Sequence, residues 1–283
     1  MLTPHFRALD AAYQLHFYLC LKTRYLKPLL VTNGHYALVS HVLDDVCARE
    51  QYHLLETDIS PDHLRLLFSL KPDQTVSRAV KMVKGNLARE FGGAFADDLQ
   101  RHNIKGPWAR GYFARSAGKV NLELARRYVE AQVTHHGYEG NWTKALKFRN
   151  PAFKSPAFNL AHCLCMLDYH VVLVTEHRKA VFDEAIAPGL FNYLGTIGKK
   201  HGFVIDRIGL LPDHMHLILE AVPGVSIQEC VLALLNNTRY WMEKHYSGVL
   251  KQTGAQNVWH PSFYAGTVGE YSTAQVKRFL GGS

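Results

Sequence analysis

Long apolar runs are missing from this 283-residue chain. None approaches the ~18 residues that a membrane-spanning helix needs, so a transmembrane protein is not expected. Residues 1–15 lack the basic-then-apolar layout of a secretory leader, so export is not expected either. Cysteine is scarce and odd in number, with five residues: Cys20, Cys47, Cys163, Cys165 and Cys230. Such a set does not make a disulfide framework, and a reducing cytoplasm is the expected compartment. Cys163 and Cys165 follow His162, but the spacing does not suit a zinc knuckle, and they read as core thiols. Charged residues amount to 20% against 47% hydrophobic ones, a mixture that excludes wholesale disorder.

The charge that is present leans positive. Lys and Arg number 32 against 24 Asp and Glu, which mildly favours an anionic partner. The excess is uneven. Residues 1–150 hold 21 basic and 14 acidic side chains, whereas residues 151–283 hold 11 and 10, so the basic surface belongs to the first half.

The chain contains itself twice. Ser60-Pro61-Asp62-His63-Leu64-Arg65-Leu66-Leu67 aligns with Leu211-Pro212-Asp213-His214-Met215-His216-Leu217-Ile218 at an offset of 151, the step from His63 to His214. The same offset pairs Trp108 with Trp259, Tyr112-Phe113-Ala114 with Phe263-Tyr264-Ala265, and Gly118 with Gly269. It also pairs Ala125–Val129 with Val276–Leu280. Upstream, Leu15-His16 and the residues after them resemble Tyr169-His170 and theirs. Two long units are not a solenoid. They read as a homodimer fused into one chain, with domains at 1–147 and 160–283. Residues 148–159, which hold Pro151 and Pro156, read as a linker.

Within the first unit, residues 52–59 and 64–70 read as strands around a turn at Pro61-Asp62. Val76, Val80, Val83 and Leu87 carry helical spacing over 76–91. Residues 108–115 read as strand and 122–132 as a closing helix. The second unit repeats the order, with helices over 227–245 and 273–280. The expected class is α+β with antiparallel sheets.

His214 and His216 alternate on a strand, so both imidazoles leave one face while Met215, Leu217 and Leu219 leave the other. Two imidazoles on one face form half of a divalent-cation site. A pair of surface or core histidines is the plainer reading. Tyr128 and Gln132 share a helix face at i and i+4. A phenol can attack phosphorus and an amide oxygen can complete a metal shell, though a solvent-facing tyrosine is again the plainer reading.

Taken together, Pro212-Asp213-His214-Met215-His216-Leu217, the stretch from Val258 to Gly269, and Arg127-Tyr128-Val129-Glu130-Ala131-Gln132 resemble one family. It is the HUH-type single-tyrosine transposases of small bacterial insertion sequences, REP-associated relatives included. Lys84–Arg89 resembles the family's basic helix. The resemblance implies two tandem ferredoxin-like domains and a nucleoid-associated protein acting on hairpin-bearing single-stranded DNA. It also implies Mg²⁺ or Mn²⁺ as cofactor and a 5′-phosphotyrosine with a free 3′-OH as the product of cleavage. In the family the tyrosine helix reaches the partner's His pair.

The two copies depart from the family in complementary ways. The first has Arg65 as its second would-be ligand, and a guanidinium does not bind metal. The second has Phe279 in place of the tyrosine and Ser283 in place of the glutamine, with Gly281-Gly282 expected to end its helix early. One complete set therefore exists only across the halves, with Tyr128 as nucleophile and His214, His216 and Gln132 as ligands. The reciprocal set, His63, Arg65 and Phe279, is degenerate. Arg65 is expected to grip a DNA phosphate, and Arg78, Lys81, Lys84 and Arg89 are the expected backbone contacts. A non-cleaving DNA-binding protein and a replication or transfer nickase are the alternative functions. Further self-association of the internal pseudo-dimer stays open.

Overall fold

The computed structural model describes residues 5–135, 137, 141–269 and 273–281, without the side chains of 133–135, 141–142 and 278–281. The first half runs β1 (Asp10–Gln14), β2 (His16–Lys22), α1 (Asn33–Glu50), β3 (His53–Ser60), β4 (His63–Ser69), α2 (Val76–Ala94), α3 (Ala96–Arg101), β5 (Tyr112–Ala117), α4 (Leu122–His135) and β6 (Lys147–Arg149). The second runs β7 (Cys163–Met166), β8 (Asp168–Thr175), α5 (Ala187–His201), β9 (Phe203–Leu211), β10 (His214–Ala221), α6 (Ile227–His245), α7 (Ser247–Thr253), β11 (Trp259–Val268) and α8 (Thr273–Gly281). This is the expected α+β class, with one sheet centred on each repeat.

The helix expected from Val76 onward starts at a Thr75 cap, whose side chain accepts from Arg78 N, and buries Val76, Val80, Val83 and Leu87 as its spacing requires. Helices α1 and α5 go beyond the expected elements. The first opens at a capping box formed by Thr32 and His35 and buries Val39, Val42, Leu43 and Val46. The strand expected over 108–115 lies later, at β5. Trp108 makes only an isolated bridge to Thr23 and buries its ring.

Each sheet borrows an edge strand from the other repeat. The first is ordered β3-β4-β2-β5-β7, and the second β1-β11-β8-β10-β9-β6. β1 runs parallel to β11, and β7 runs parallel to β5, so the exchange is reciprocal. The linker also begins as structure: Phe148 and Arg149 of β6 pair with Ile208 and Arg207 on β9.

The halves meet along an internal pseudo-twofold. Ser77 N donates to Pro223 O at 2.8 Å, and Gln228 N, its equivalent, donates to Pro72 O at 3.0 Å. Gly118 and Gly269, paired already by the repeat, sit where β5 and β11 cross. A Cβ on Gly118 would lie 1.9 Å from Thr267 O, and one on Gly269 would lie 2.1 Å from Ser116 O, so only glycine fits at either position. Past each crossing the closing helix starts on the opposite half. Leu122 N donates to Gly269 O and Thr273 N to Gly118 O, both at 2.7 Å.

Met215, Leu217 and Leu219 are fully buried on the core face of β10. Each contributes about 1.5–3 kcal/mol of burial, which fixes the strand's register and therefore the face its histidines take. Cys163 and Cys165 differ from the expected separate thiols. They are alternate residues on β7, share a face, and bring their sulfurs together as a pair. Among the described residues no helix is long and apolar enough to cross a membrane.

Candidate active site

His214 and His216 stand on β10, their rings 5.2 Å apart between centroids. At 5% and 6% exposure they are buried, yet the strand's other face carries the core, so a cover lies over them. Their Nδ1 atoms are engaged by neighbours. His214 Nδ1 bonds Asp213 Oδ1 at 2.6 Å, and Asp213 Oδ2 accepts from Arg178 Nε at 2.9 Å. Burial works to raise the Asp213 carboxyl, but the hydrogen bond and charge of His214 and the Arg178 guanidinium outweigh it and hold it below its usual range. His216 Nδ1 lies 3.1 Å from His170 Nε2, with the two rings stacked. Burial pushes the His170 imidazole down to about 4, so it is neutral at physiological pH.

The cover is α4, the closing helix of the first repeat, which lies across β9 and β10 of the second. Four features seat it. Its N-terminus is bonded to Gly269 O. Ala125 and Val129 pack on Ile218 and Val268. Two ion pairs cross the contact, Arg126–Asp206 at 2.5 Å and Arg207–Glu130 at 2.7 Å. Last, Gly209 on β9 allows close approach: a Cβ there would lie 2.6 Å from Val129 O.

This seating brings Tyr128 over the histidines. Its ring stands edge-on to His216 and to His170, at 5.8 Å between centroids in both cases. It is half exposed, so a large substrate can reach it. One turn on, Gln132 is 1% exposed; its Nε2 donates to Tyr128 O at 3.3 Å, and its Oε1 is a buried acceptor with no hydrogen-bond partner among the described residues. Buried polar atoms are rarely left so, and an orphan amide oxygen one helical turn from Tyr128 is the kind of donor that suits a divalent cation. Among the described residues no three His, Cys, Asp or Glu side chains form a metal cluster.

The reciprocal position is built differently. His63 Nδ1 bonds Asp62 Oδ1 at 2.5 Å, as in the other half. Arg65, however, is ion-paired with Asp58, which stands opposite it on β3. The corresponding residue opposite His216 is Gly209. An ion pair therefore fills the place where the other half has an imidazole and open space for a helix. α8 packs on β3 and β4 and is described as far as Gly281; the expected helix end at Gly281-Gly282, the Phe279 side chain and Ser283 lie outside the described residues.

The candidate DNA contacts divide. Lys81 is exposed on α2. Arg78 and Arg89 are largely exposed and pair with Glu50 and Glu90. Lys84 turns inward instead. Its Nζ donates to the carbonyls of Ala109, Arg110 and Gly111 at 2.6, 3.1 and 3.3 Å, and burial lowers its pKa. It ties α2 to the segment before β5 and is committed there.

His170, Asp213 and Arg178 were not among the expected site residues. Asp213 was visible in the repeated Pro-Asp-His motif. His170 was obscured by an upstream alignment that set it beside His16. The pairing registers correct this. Cys20 stands opposite Arg65 and Val172 opposite His216, so Cys20 and Val172 are equivalent, and so are Tyr18 and His170 two residues earlier.

The model of the IS200-like transposase family matches residues 11–132 and again 163–281. The chain belongs to the IS200-like transposase family. The ISDra2 transposase TnpA of Deinococcus radiodurans is 30% identical over 114 residues, which are 40% of this chain and 81% of that relative. One such transposase thus corresponds to one half of this chain. A crystal structure of a proposed transposase from Deinococcus radiodurans R1 is 24% identical, covering 44% of this chain and 89% of that one, with a TM-score of 0.35. A REP-associated tyrosine transposase bound to a REP hairpin is 14% identical, covering 48% and 76%, with a TM-score of 0.29.

Proposed function

We propose that this IS200-like transposase cleaves and rejoins single-stranded DNA at one composite site, made by Tyr128 and Gln132 of the first half with His214 and His216 of the second. The observation that carries the reading is the seating of α4: it sets the Tyr128 ring 5.8 Å from that of His216 while the matching place in the first half is filled by the Arg65–Asp58 pair. The family supports DNA as the partner, and hairpin-bearing DNA, such as a REP-associated relative binds, is part of the proposal.

His214, His216 and the Gln132 amide oxygen would hold Mg²⁺ or Mn²⁺, which when bound supplies Lewis-acid polarisation of the scissile phosphate. The protein's own residues do the rest. Asp213 and Arg178 fix the His214 ring. Tyr128 Oη attacks phosphorus; the Tyr–O–P bond forms as the P–O3′ bond breaks, the phenolic proton leaves to solvent, and the departing 3′ oxygen takes up a proton. A 5′-phosphotyrosine and a free 3′-OH result, and reversal by another 3′-OH joins strands. Arg78, Lys81 and Arg89 hold backbone phosphates by charge.

The test is a denaturing gel of the protein with labelled single-stranded hairpin DNA from its genomic surroundings, with and without Mn²⁺. A covalent adduct that needs the metal and is absent from Tyr128→Phe is expected. Binding without any adduct would favour a non-cleaving DNA-binding protein.

A further inference from the structure

We propose that His170 is a positioning residue for the composite site, fixing the tautomer and ring orientation of His216 through an imidazole–imidazole hydrogen bond. The inference rests on the reading that His214 and His216 are metal ligands.

A histidine ligand presents one nitrogen to the ion, and the hydrogen bond at the other nitrogen decides which. For His214 the partner at Nδ1 is Asp213, 2.6 Å away, so Nε2 is the nitrogen that would face the ion. For His216 the partner is His170, whose Nε2 is 3.1 Å from Nδ1, so the same nitrogen is engaged. In the proposed arrangement His170 accepts through Nε2, so that His216 carries its proton on Nδ1 and Nε2 is the nitrogen that would face the ion. Both imidazoles then present the same atom from the same strand face. Stacking at 5.3 Å between centroids and 14° between planes fixes the ring orientation as well.

The two halves supply an internal control. Asp62 and Asp213 occur in both copies, so the aspartate does not follow the state of the site. His170 does: where the second ligand is His216 the neighbouring strand carries His170, and where it is Arg65 that strand carries Tyr18. Tyr18 packs edge-on against Phe113 instead.

The experiment compares wild type with His170→Leu, His170→Gln and His216→Ala. Gln can place an acceptor near the position of the imidazole Nε2, and Leu cannot. In the metal-free, DNA-free protein, nitrogen-15 NMR of the imidazoles reads the His216 tautomer. Nδ1–H is expected in wild type and His170→Gln, and loss of that single form in His170→Leu. An Nε2–H tautomer in wild type would overturn the inference whatever the metal does. Mn²⁺ affinity, followed through the EPR signal of the free ion, is expected to fall about 10–100-fold in His170→Leu and to recover in His170→Gln. Equal affinity in His170→Leu and wild type, or equal weakness of the Leu and Gln variants, would overturn it. If His216→Ala binds Mn²⁺ as wild type does, the metal reading itself fails and the inference falls with it.

Discussion

Tyr128 and His216 belong to different repeats, yet their rings meet edge-on at 5.8 Å inside one chain. Their contact depends on α4 crossing the internal pseudo-twofold, which a single polypeptide already supplies. Mixing Tyr128→Phe protein with His214→Ala protein is therefore expected to leave cleavage absent, because neither chain holds a complete set. Recovery of the DNA adduct on mixing would mean that sites form between chains.

Gly209 sets how closely the tyrosine helix lies on the sheet. Gly209→Val places a Cβ against the Val129 carbonyl, where backbone must give way. Overpacking of this kind costs about 1–3 kcal/mol. The expected outcome is a Tm lower by ~2–10 °C together with a loss of adduct formation of at least about tenfold, since small misplacements of reacting groups are costly. Unchanged cleavage would show that the seating of α4 is not what presents Tyr128.

Gln132 separates function from stability. Its Oε1 is buried without a partner among the described residues, and such an atom costs about 1–3 kcal/mol. Gln132→Leu removes it, so Tm is expected to hold or rise while metal-dependent adduct formation drops. A variant that cleaves as well as wild type would assign the amide to packing alone.

Away from the site, Asp168 and Glu220 face each other across β8 and β10. Burial, then the charge of Glu220, raises the Asp168 carboxyl well above its ordinary value, and burial raises Glu220 as well. The folded state therefore keeps protons that the unfolded chain releases. Below the ordinary carboxylate value both states are protonated and there is no penalty. As pH rises from there through the raised folded value, stability is lost. Asp168→Asn is expected to raise Tm at pH 8, to leave it near wild type at pH 4, and to flatten the decline between. Thermal melts across that range check this, and a variant less stable at pH 8 would contradict it.

Much of the arrangement could be read from residues alone because it follows the offset of 151. That offset paired Gly118 with Gly269 before the crossing of β5 and β11 explained why neither tolerates a side chain. Strand alternation put His214 and His216 on one face, and helical spacing put Tyr128 beside Gln132. His170 was not legible, because the repeat offset changes by one residue between β2–β8 and β4–β10. Only the pairing of Val172 with His216 reveals which residue neighbours that histidine. The Arg65–Asp58 pair and the carbonyl contacts of Lys84 were hidden for a related reason. A charged side chain shows its charge in sequence, whereas the partner that uses it is chosen by tertiary packing.

One panel tests the central claim directly. The adduct assay is run in Mn²⁺ on Tyr128→Phe and His214→Ala, which alter the composite site from either half, and on His63→Ala, which alters the reciprocal position. Loss of the adduct in the first two with retention in His63→Ala is the result this account predicts. An adduct that survives Tyr128→Phe, or one abolished by His63→Ala in a folded protein, would contradict it.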